Sequence, residues 1–399
     1  MNQKVAVTGM GVISSIGLNT EENYRSLLSG RHGISDIDLL ETRHKGEIKV
    51  GEIKVTNEAF IQRLGLPADN NYTRTTFLAI TAVKEALASA GITDLNEIPT
   101  GLISSTSVGG MDMTEKYFFD YENHPEKQKY ISSHDAGYST MCIADYFGLK
   151  GLVSTISTAC SSAANAIMMG AKLIQSGTLD RVIVGGADSL SKFTLNGFKT
   201  LMILTDSYNT PFDHNRKGLN LGEAAGFLVL ESEASVQKSG KKVLGYLSGF
   251  GNANDAHHQT ASSENGEGAY LAMEKALKKS GLNKTDIDYI NVHGTATPNN
   301  DLSEGKAMIR IFGEDGVPDF SSTKAFTGHT LAAAAGIEAV YSLLALQHNI
   351  IFPNLNFTTK MEEFNLIPTT ALLKKDINHV LSNSFGFGGN CSTLIFSKS

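Results

Sequence analysis

Three side chains in this sequence have the types and neighbours that nucleophilic catalysis requires: one cysteine and two histidines. Cys160 stands in ISTACSSAANAIMMG (residues 156–170), between β-branched residues typical of a strand and small residues that suit a helix. The unpaired N–H groups at a helix start favour a thiolate over a thiol, and small neighbours leave the sulfur accessible. The pattern therefore predicts an accessible, ionised nucleophile. The competing interpretation is a core residue, because free cysteine is often buried and packs as a small hydrophobe.

Two histidines from the second half of the chain are placed where they could reach that sulfur. His329, in TGHTLAAAA, precedes an Ala-rich helix and is the expected counterpart of Cys160 in the other half. His293, in VHGTATP, ends a predicted strand, the position at which α/β sheets present functional groups. If two similar halves face each other, we expect the thiol and both imidazoles to converge on one site.

The elements that must position these residues occur twice along the chain. Three pairs of similar segments follow in the same order: 82–107 and 272–296, 154–167 and 321–337, 181–189 and 379–389. Such ordered self-similarity indicates two copies of one unit, which we place at 1–240 and 241–399. Near-continuous apolar strands alternating with helices indicate an α/β fold whose sheets are covered on both faces. The charged and aromatic segment 111–140 interrupts the pattern and is predicted to be a surface excursion.

Composition excludes several classes of protein. The net charge is -7 over 399 residues and no long basic run occurs, which argues against a nucleic-acid partner. Neither a signal peptide nor an apolar run of about 18 residues is visible, so we expect a cytoplasmic protein without membrane insertion. Three cysteines in so long a chain fit a reducing compartment rather than a disulfide framework.

The sequence contains no convincing cofactor or metal motif. VTGMGVISSIG is similar to a dinucleotide-binding turn, but Ser14 stands where the third glycine is required. A tight strand-to-loop turn explains these glycines better. The histidines form neither H-E-x-x-H nor a Cys/His cluster with metal spacing, so no metal site is expected.

Four motifs in chain order resemble the signature segments of the β-ketoacyl-[acyl-carrier-protein] synthases, condensing enzymes of the thiolase superfamily: TACSSAANA, HGTATPNND, STKAFTGHT and NSFGFGGN. The resemblance extends over essentially the whole chain and is to the elongating KAS I/II type. It implies a thiolase-like five-layer α-β-α-β-α fold built from two pseudo-equivalent halves, usually a homodimer. It also implies a transferase that joins malonyl units to an acyl chain in fatty acid, type II polyketide or polyene synthesis. Acyl carrier protein would present both substrates on its phosphopantetheine arm, without a further cofactor.

The same resemblance implies a role for each matching position. Cys160 would accept the acyl group, His293 and His329 would complete the site, and Lys324 would support it. Phe387 resembles the gating phenylalanine whose backbone N–H forms an oxyanion hole with that of Cys160. The matching substrate-binding positions are Thr295, Thr297, Thr260, Val108 and Gly388, and the matching structural positions are Asp301, Glu304 and Glu338. Asp301 and Glu304 can also be interpreted as a helix-capping pair.

Residue types at this site suit a decarboxylative condensation. A thiolate attacks an acyl thioester, and loss of CO2 from a malonyl thioester then leaves an enolate. Two imidazole N–H groups can stabilise the enolate oxygen, and the carbanion attacks the acyl-enzyme. Cys391 is the one candidate for the second catalytic cysteine of degradative thiolases, but its context differs from theirs.

Two departures from the commonest family pattern bear on function. It has GFGGNC where most relatives have GFGGTN, so Asn390 and Cys391 put the anchoring of the gating loop in question. Arg74 is the one basic residue of PADNNYTRTT, where many relatives carry a denser cluster for the acidic carrier. These departures leave an aryl-polyene or pigment pathway open beside primary lipid synthesis. A non-catalytic role as a chain-length factor is a further alternative, although chain-length factors lack the nucleophilic cysteine. A heterodimer with a chain-length-factor subunit also remains open.

Overall fold

The computed structural model describes residues 4–399. The strands within these residues are β1 (Val5–Ser14), β2 (Ser35–Asp36), β3 (Lys49–Val50), β4 (Thr100–Ser105), β5 (Val153–Ile156), β6 (Arg181–Asp188), β7 (Ala224–Ser232), β8 (Gly245–Asn254), β9 (Tyr289–Asn291), β10 (Asp319–Ser321), β11 (Ile350–Ile351), β12 (Leu373–Lys374), β13 (His379–Gly386) and β14 (Asn390–Ser397). The α-helices are α1 (Thr20–Ser29), α2 (Asn57–Leu64), α3 (Arg74–Ser89), α4 (Met111–Tyr117), α5 (Ala136–Tyr146), α6 (Ser162–Gln175), α7 (Lys192–Thr200), α8 (Glu233–Ser239), α9 (Glu267–Ser280), α10 (Pro298–Phe312), α11 (Lys324–Thr327) and α12 (Ala334–His348).

Ten of these strands form one sheet that consists of two equivalent parts. Its order is β10-β9-β13-β14-β8-β1-β7-β6-β4-β5, so β8 and β1 meet at the centre. Outward from the centre, each part has two antiparallel pairings followed by two parallel ones. Among the described residues, the strands of the two parts pair with each other along Val5–Val7 and Gly245–Leu247. This correspondence is the structural form of the internal repeat.

Helices cover both faces of each part of the sheet. Helices α6 and α12 pack against each other and against strands of both parts, in one apolar cluster that includes Ile167, Leu343, Leu230 and Leu394. Helices α3 and α5 cover the outer face of the first part, and α9 and α10 cover that of the second. The layers therefore run α-β-α-β-α, and the predicted fold class is confirmed.

Three other features bear on the sequence-based predictions. The proposed boundary at 240/241 falls between α8 and β8. Segment 111–140 contains α4 and short 3-10 turns, and it exposes Phe118, Phe119 and Ile131. Leu331–His348 is long and apolar enough to cross a membrane, but 89% of it is buried inside the protein. It is therefore a core segment of this fold.

Candidate active site

Cys160 lies on a tight turn between β5 and α6. Ala159 has a φ of 52°, which reverses the chain ahead of the cysteine, and a non-glycine residue in this region stores backbone strain. The turn is held by Ser162, whose Oγ accepts the Thr158 N–H at 2.8 Å and donates to the Ala159 carbonyl at 2.5 Å. The strand-to-helix position expected from the sequence is therefore correct.

One cavity of about 360 Å³ brings together most of the residues that the sequence singled out. Its lining includes these predicted residues: Cys160, His293, His329, Phe387, Thr295, Thr297, Thr260, Gly388 and Cys391. The His293 and His329 rings lie 5.4 Å apart between centroids and are nearly perpendicular, at 88°. Leu201 and Met202 also line it and are 43% and 86% exposed, so they mark its mouth.

The charge state predicted for Cys160 is wrong for the resting protein. The residue is only 5% exposed, and burial raises the pKa of its thiol to about 12. The Lys324 charge and the Phe387 backbone N–H act in the opposite direction, but removing water from the sulfur outweighs them. Cys160 is thus buried like a core cysteine and yet lines the cavity as a neutral thiol.

Both histidines are buried and neutral. Burial, together with the Lys324 charge, lowers the pKa of the His293 and His329 imidazoles well below the usual value. A neutral imidazole has one N–H donor and one acceptor nitrogen, so each ring can donate to an oxyanion or accept a proton. The backbone N–H of His293 donates to Glu304 Oε1 at 2.8 Å, and that of His329 donates to the Asn220 carbonyl at 2.7 Å. These bonds fix the backbone of the two histidines and therefore the points from which their side chains extend.

Lys324 acts on this site through its charge, from behind the cavity. Its ammonium pairs with Glu338 of α12, and both side chains are at most 2% exposed. The Ser384 hydroxyl lies 3.4 Å from the other Glu338 oxygen. Because the pair is buried, the Lys324 charge is weakly screened and contributes to the pKa of three site residues, namely Cys160, His293 and His329.

The segment around Phe387 closes over the Cys160 turn. The Phe387 backbone N–H and that of Cys160 both point to the Cys160 sulfur. At Gly386 an added Cβ would lie 2.7 Å from the Thr158 carbonyl oxygen, so only glycine allows the backbone to come so close. The Phe387 ring stacks on Phe198 at 5.8 Å. Two N–H donors therefore lie beside the sulfur, next to the carbonyl of any acyl group bound to it.

Asp301 and Glu304 are not the helix-capping pair that was one interpretation of their spacing. Helix α10 begins at Pro298 and its N-cap is Thr297, four residues earlier than that interpretation requires, because proline suits the first helical position. Both carboxyl groups are buried. Asp301 accepts the Phe212 N–H at 2.8 Å, whereas Glu304 accepts the N–H groups of His293 and the next residue, and burial raises its pKa to about 7.

Three further predicted positions are placed as follows. The Thr295 and Thr297 hydroxyl oxygens are 2.9 Å apart at the cavity wall. Val108 is absent from that wall; it packs in the apolar cluster of Leu190 and Leu331 behind it, because its backbone N–H is bound by Asp188. Val108 therefore does not line this cavity, and its place at the pocket for the acyl chain stays a prediction.

The two departures from the family pattern have clear structural outcomes. Arg74 is not an exposed basic residue, because its guanidinium binds Glu223 through two hydrogen bonds of 2.6 and 2.8 Å. Asn390 does anchor the Phe387 segment, through side-chain bonds to α6 and β8. Cys391 lines the cavity, and burial raises its thiol pKa.

Asp188 is the residue that sequence reasoning missed. This buried carboxylate ends β6 and accepts hydrogen bonds from Thr106, from Ser107 and from the Ala332 N–H. Ala332, rather than His329, is the positional counterpart of Cys160. Each follows a residue of positive φ (Leu331, 53°, and Ala159, 52°) and stands two residues before a central helix. An acidic residue at the end of the apolar run RVIVGGAD was the available signal.

Residues 4–399 contain no group of three or more His, Cys, Asp or Glu side chains that could hold a metal ion.

Comparison with known proteins defines the class to which this fold and site belong. The model of the β-ketoacyl synthase N-terminal domain matches residues 2–235, and that of the C-terminal domain matches residues 244–358. The chain therefore belongs to the β-ketoacyl synthase family. It is a condensing enzyme, an acyltransferase of fatty acid or polyketide elongation.

Individual relatives agree over the full length. The chain is 33% identical to 3-oxoacyl-[acyl-carrier-protein] synthase 2 of Staphylococcus aureus (strain COL), covering 100% of this chain and 99% of that protein. The ishigamide ketosynthase/chain length factor structure superimposes with a TM-score of 0.92 at 29% identity, covering 100% of both chains. The structure of the ketosynthase ApeO in complex with its chain length factor ApeC, from Xenorhabdus doucetiae, superimposes with a TM-score of 0.84 at 28% identity. This match covers 100% of this chain and 98% of that chain.

Proposed function

We propose that Cys160 carries the growing acyl chain and that the protein is a 3-oxoacyl-[acyl-carrier-protein] synthase using malonyl-carrier as extender. The observation that carries this proposal is the single cavity in which Cys160 meets two neutral imidazoles and two backbone N–H donors. The reaction at Cys160 is the same in fatty acid and in type II polyketide elongation, because both pathways bring acyl thioesters to this site.

In the first half-reaction the Cys160 sulfur attacks the carbonyl carbon of an acyl thioester on the carrier. The thiol is neutral at rest, so its proton has to leave as the bond forms, and a neutral imidazole of His293 or His329 can accept it. The tetrahedral oxyanion receives the N–H groups of Cys160 and Phe387. The intermediate then expels the carrier thiolate, which takes the proton and leaves as the free pantetheine thiol.

In the second half-reaction the carboxylate of malonyl-carrier leaves as CO2. Its bonding electrons form an enolate whose oxygen accepts hydrogen bonds from the N–H groups of His293 and His329. The enolate carbon attacks the acyl-Cys160 carbonyl, a carbon–carbon bond forms, and the oxyanion again occupies the backbone N–H pair. Collapse breaks the carbon–sulfur bond and releases 3-oxoacyl-carrier, and the Cys160 thiolate takes one proton from solvent to return to the neutral thiol.

The partner of this reaction is an acyl carrier protein. Its phosphopantetheine arm enters past Leu201 and Met202, and we expect the Thr295 and Thr297 hydroxyl groups to bind the arm's amides. Thr260 and Gly388 line the same passage. The chemistry described needs no metal or further cofactor, and we place the protein in the cytoplasm, where reduced thiols and acyl carrier protein occur together.

A homodimer is the proposed assembly, and the exposed apolar residues Phe118, Phe119 and Ile131 are available to a second subunit. A heterodimer is the second candidate, because two of the similar structures are of a ketosynthase with a chain length factor. The mass of the purified protein by light scattering, alone and with a candidate subunit, distinguishes the two. A non-catalytic role for this chain is disfavoured by the presence of Cys160.

The test of function is a purified assay with malonyl-carrier and acyl primers of graded length. Turnover of saturated medium and long chains would assign the protein to lipid synthesis. Turnover restricted to aromatic or polyunsaturated primers would assign it to a polyene or pigment pathway, the second candidate pathway. If the native protein neither becomes acylated nor releases CO2, and a second subunit restores both while Cys160→Ala has no effect, this chain is the non-catalytic partner.

A further inference from the structure

Asn390 stands at the start of β14, directly after the Phe387 segment. Successive side chains of a strand point to opposite faces, so Cys391 packs on the outer, α9 side while Asn390 points to α6. Its Oδ1 accepts hydrogen bonds from Asn165 Nδ2 at 2.9 Å and from Asn252 Nδ2 at 2.8 Å. The Ser161 hydroxyl lies 2.8 Å from the same oxygen.

These contacts connect the Phe387 segment to the turn that carries the nucleophile. Ser161 is the residue after Cys160, and Asn165 lies one helical turn further along α6. The other end of the segment, Gly386, already rests against the Thr158 carbonyl. Both ends of residues 386–390 are therefore fixed to the Cys160 turn.

The middle of the segment is held by a different part of the protein. The Gly388 N–H donates to the Gln259 carbonyl at 2.7 Å, and the Gly389 carbonyl accepts the Asp255 N–H at 2.8 Å. Asn254 Nδ2 donates to the Gly388 carbonyl at 3.1 Å. The loop after β8 thus holds the middle, and Asn390 is the side chain of the segment itself that bonds to α6.

We propose that Asn390 is a positioning residue of this enzyme, which sets the distance between the Phe387 and Cys160 N–H groups by fixing the end of the segment to α6. The inference rests on the proposed function, because the two N–H groups matter only if an oxyanion forms between them. Without the carboxamide, the Phe387 N–H is free to shift relative to Cys160. Since removal of one oxyanion donor typically slows catalysis by about 10²–10³-fold, a displaced donor should slow acylation by about 10- to 100-fold.

The test compares Asn390→Leu, which keeps the size but removes the acceptor, with Asn390→Thr, which keeps a side-chain oxygen. Acyl-enzyme formation is measured by intact-protein mass after rapid quenching, over a range of acyl-carrier concentrations. We expect Asn390→Leu to lower the maximal acylation rate with little change in the carrier concentration for half-maximal rate. Asn390→Thr should acylate faster than Asn390→Leu. Ser392→Ala, which removes a hydroxyl from the same polar cluster, is the matched control and should stay within about twofold of the native rate.

A double-mutant cycle with Asn165→Leu shows whether the two side chains act together. Losses that are clearly smaller in the double variant than the product of the single losses support the inference. It is overturned if Asn390→Leu acylates within twofold of the native protein, if its loss lies in the half-maximal concentration alone, or if Asn390→Thr is no better. If Asn390→Leu does not fold, the Asn390→Thr and Asn165→Leu rates decide in the same way. Failure of the proposed function gives a different result, because the native protein itself would then form no acyl-enzyme. The inference would be overturned together with it.

Discussion

Replacing Lys324 with methionine separates what a buried charge does for the fold from what it does for the chemistry. The Lys324 ammonium and the Glu338 carboxylate form an ion pair at the centre of the molecule, with side chains 2% and 1% exposed. Methionine has a similar length and flexibility, so packing is largely retained while the charge is lost. Glu338 is then left buried, with the Ser384 hydroxyl 3.4 Å away as its other contact.

The expected loss of stability follows from that orphaned carboxylate. Removing one partner of a buried ion pair costs about 3–5 kcal/mol, because the remaining charge is desolvated without compensation. In the double variant Lys324→Met/Glu338→Gln no orphaned charge remains, and at least half of the loss should be recovered. Lys398→Met is the surface control: its pair with Asp376 is 39% and 74% exposed, so the change should be below about 1 kcal/mol. Since the chain has no tryptophan, urea unfolding is best followed by circular dichroism.

The acylation rate should not recover in the double variant when its free energy of unfolding does. The Lys324 charge lowers the pKa of the Cys160 thiol and of both imidazoles, so its loss makes the thiol harder to ionise. We expect acylation at pH 7 to fall in the single and in the double variant alike, by about tenfold for each unit by which the thiol pKa rises. Recovery of acylation together with stability in the double variant would refute this reasoning and reduce Lys324 to a structural role. A single variant that loses less than 1 kcal/mol would refute the stability argument.

Three further predictions can be tested with simpler measurements. Cys160→Ala should abolish acyl-enzyme formation, whereas His329→Ala should retain acylation but lose malonyl decarboxylation by at least about 100-fold; equal loss of both half-reactions would count against the assignment. Because the pKa of the Cys160 thiol is raised to about 12, its thiolate fraction rises with pH throughout the range from pH 7 to 10. The rate of alkylation by iodoacetamide should therefore increase about tenfold per pH unit over that range. A plateau below pH 8 would show that the resting thiol is ionised. Arg74→Met should cost about 3–5 kcal/mol in urea unfolding by orphaning buried Glu223, against less than 1 kcal/mol for Arg25→Met, whose pair is exposed.

The sequence predicts the fold and the position of the site because both depend on local pattern and topology. Strands alternate with helices in two similar orders, and this alone indicates two covered sheets related by pseudo-symmetry. Cys160 precedes a central helix and His293 follows β9, so both residues lie at sheet ends where such folds place functional groups. No long-range information is needed for those conclusions.

The properties that depend on burial and on distant partners could not be predicted in this way. A helix start favours a thiolate, but the opposing loss of hydration at Cys160 arises from segments far along the chain, such as the one at Phe387. Asn390 binds Asn165 across 225 residues, so its anchoring role has no local signature. The capping interpretation of Asp301 failed for a local reason, since Thr297 and Pro298 supply a better helix start four residues earlier.

The two halves also show how one turn acquires catalytic capacity and its counterpart does not. In the second half the N–H of Ala332 donates to the Asp188 carboxylate at 2.8 Å, so an internal anion occupies the position in front of that helix. The last residue of β13, Gly386, corresponds to Asp188 at the end of β6 and has no side chain. The Cys160 turn therefore faces a cavity where its counterpart faces a carboxylate, and a substrate oxyanion can take the equivalent place. The two equivalent turns thus differ in what lies before them: a buried carboxylate at Ala332 and the cavity at Cys160.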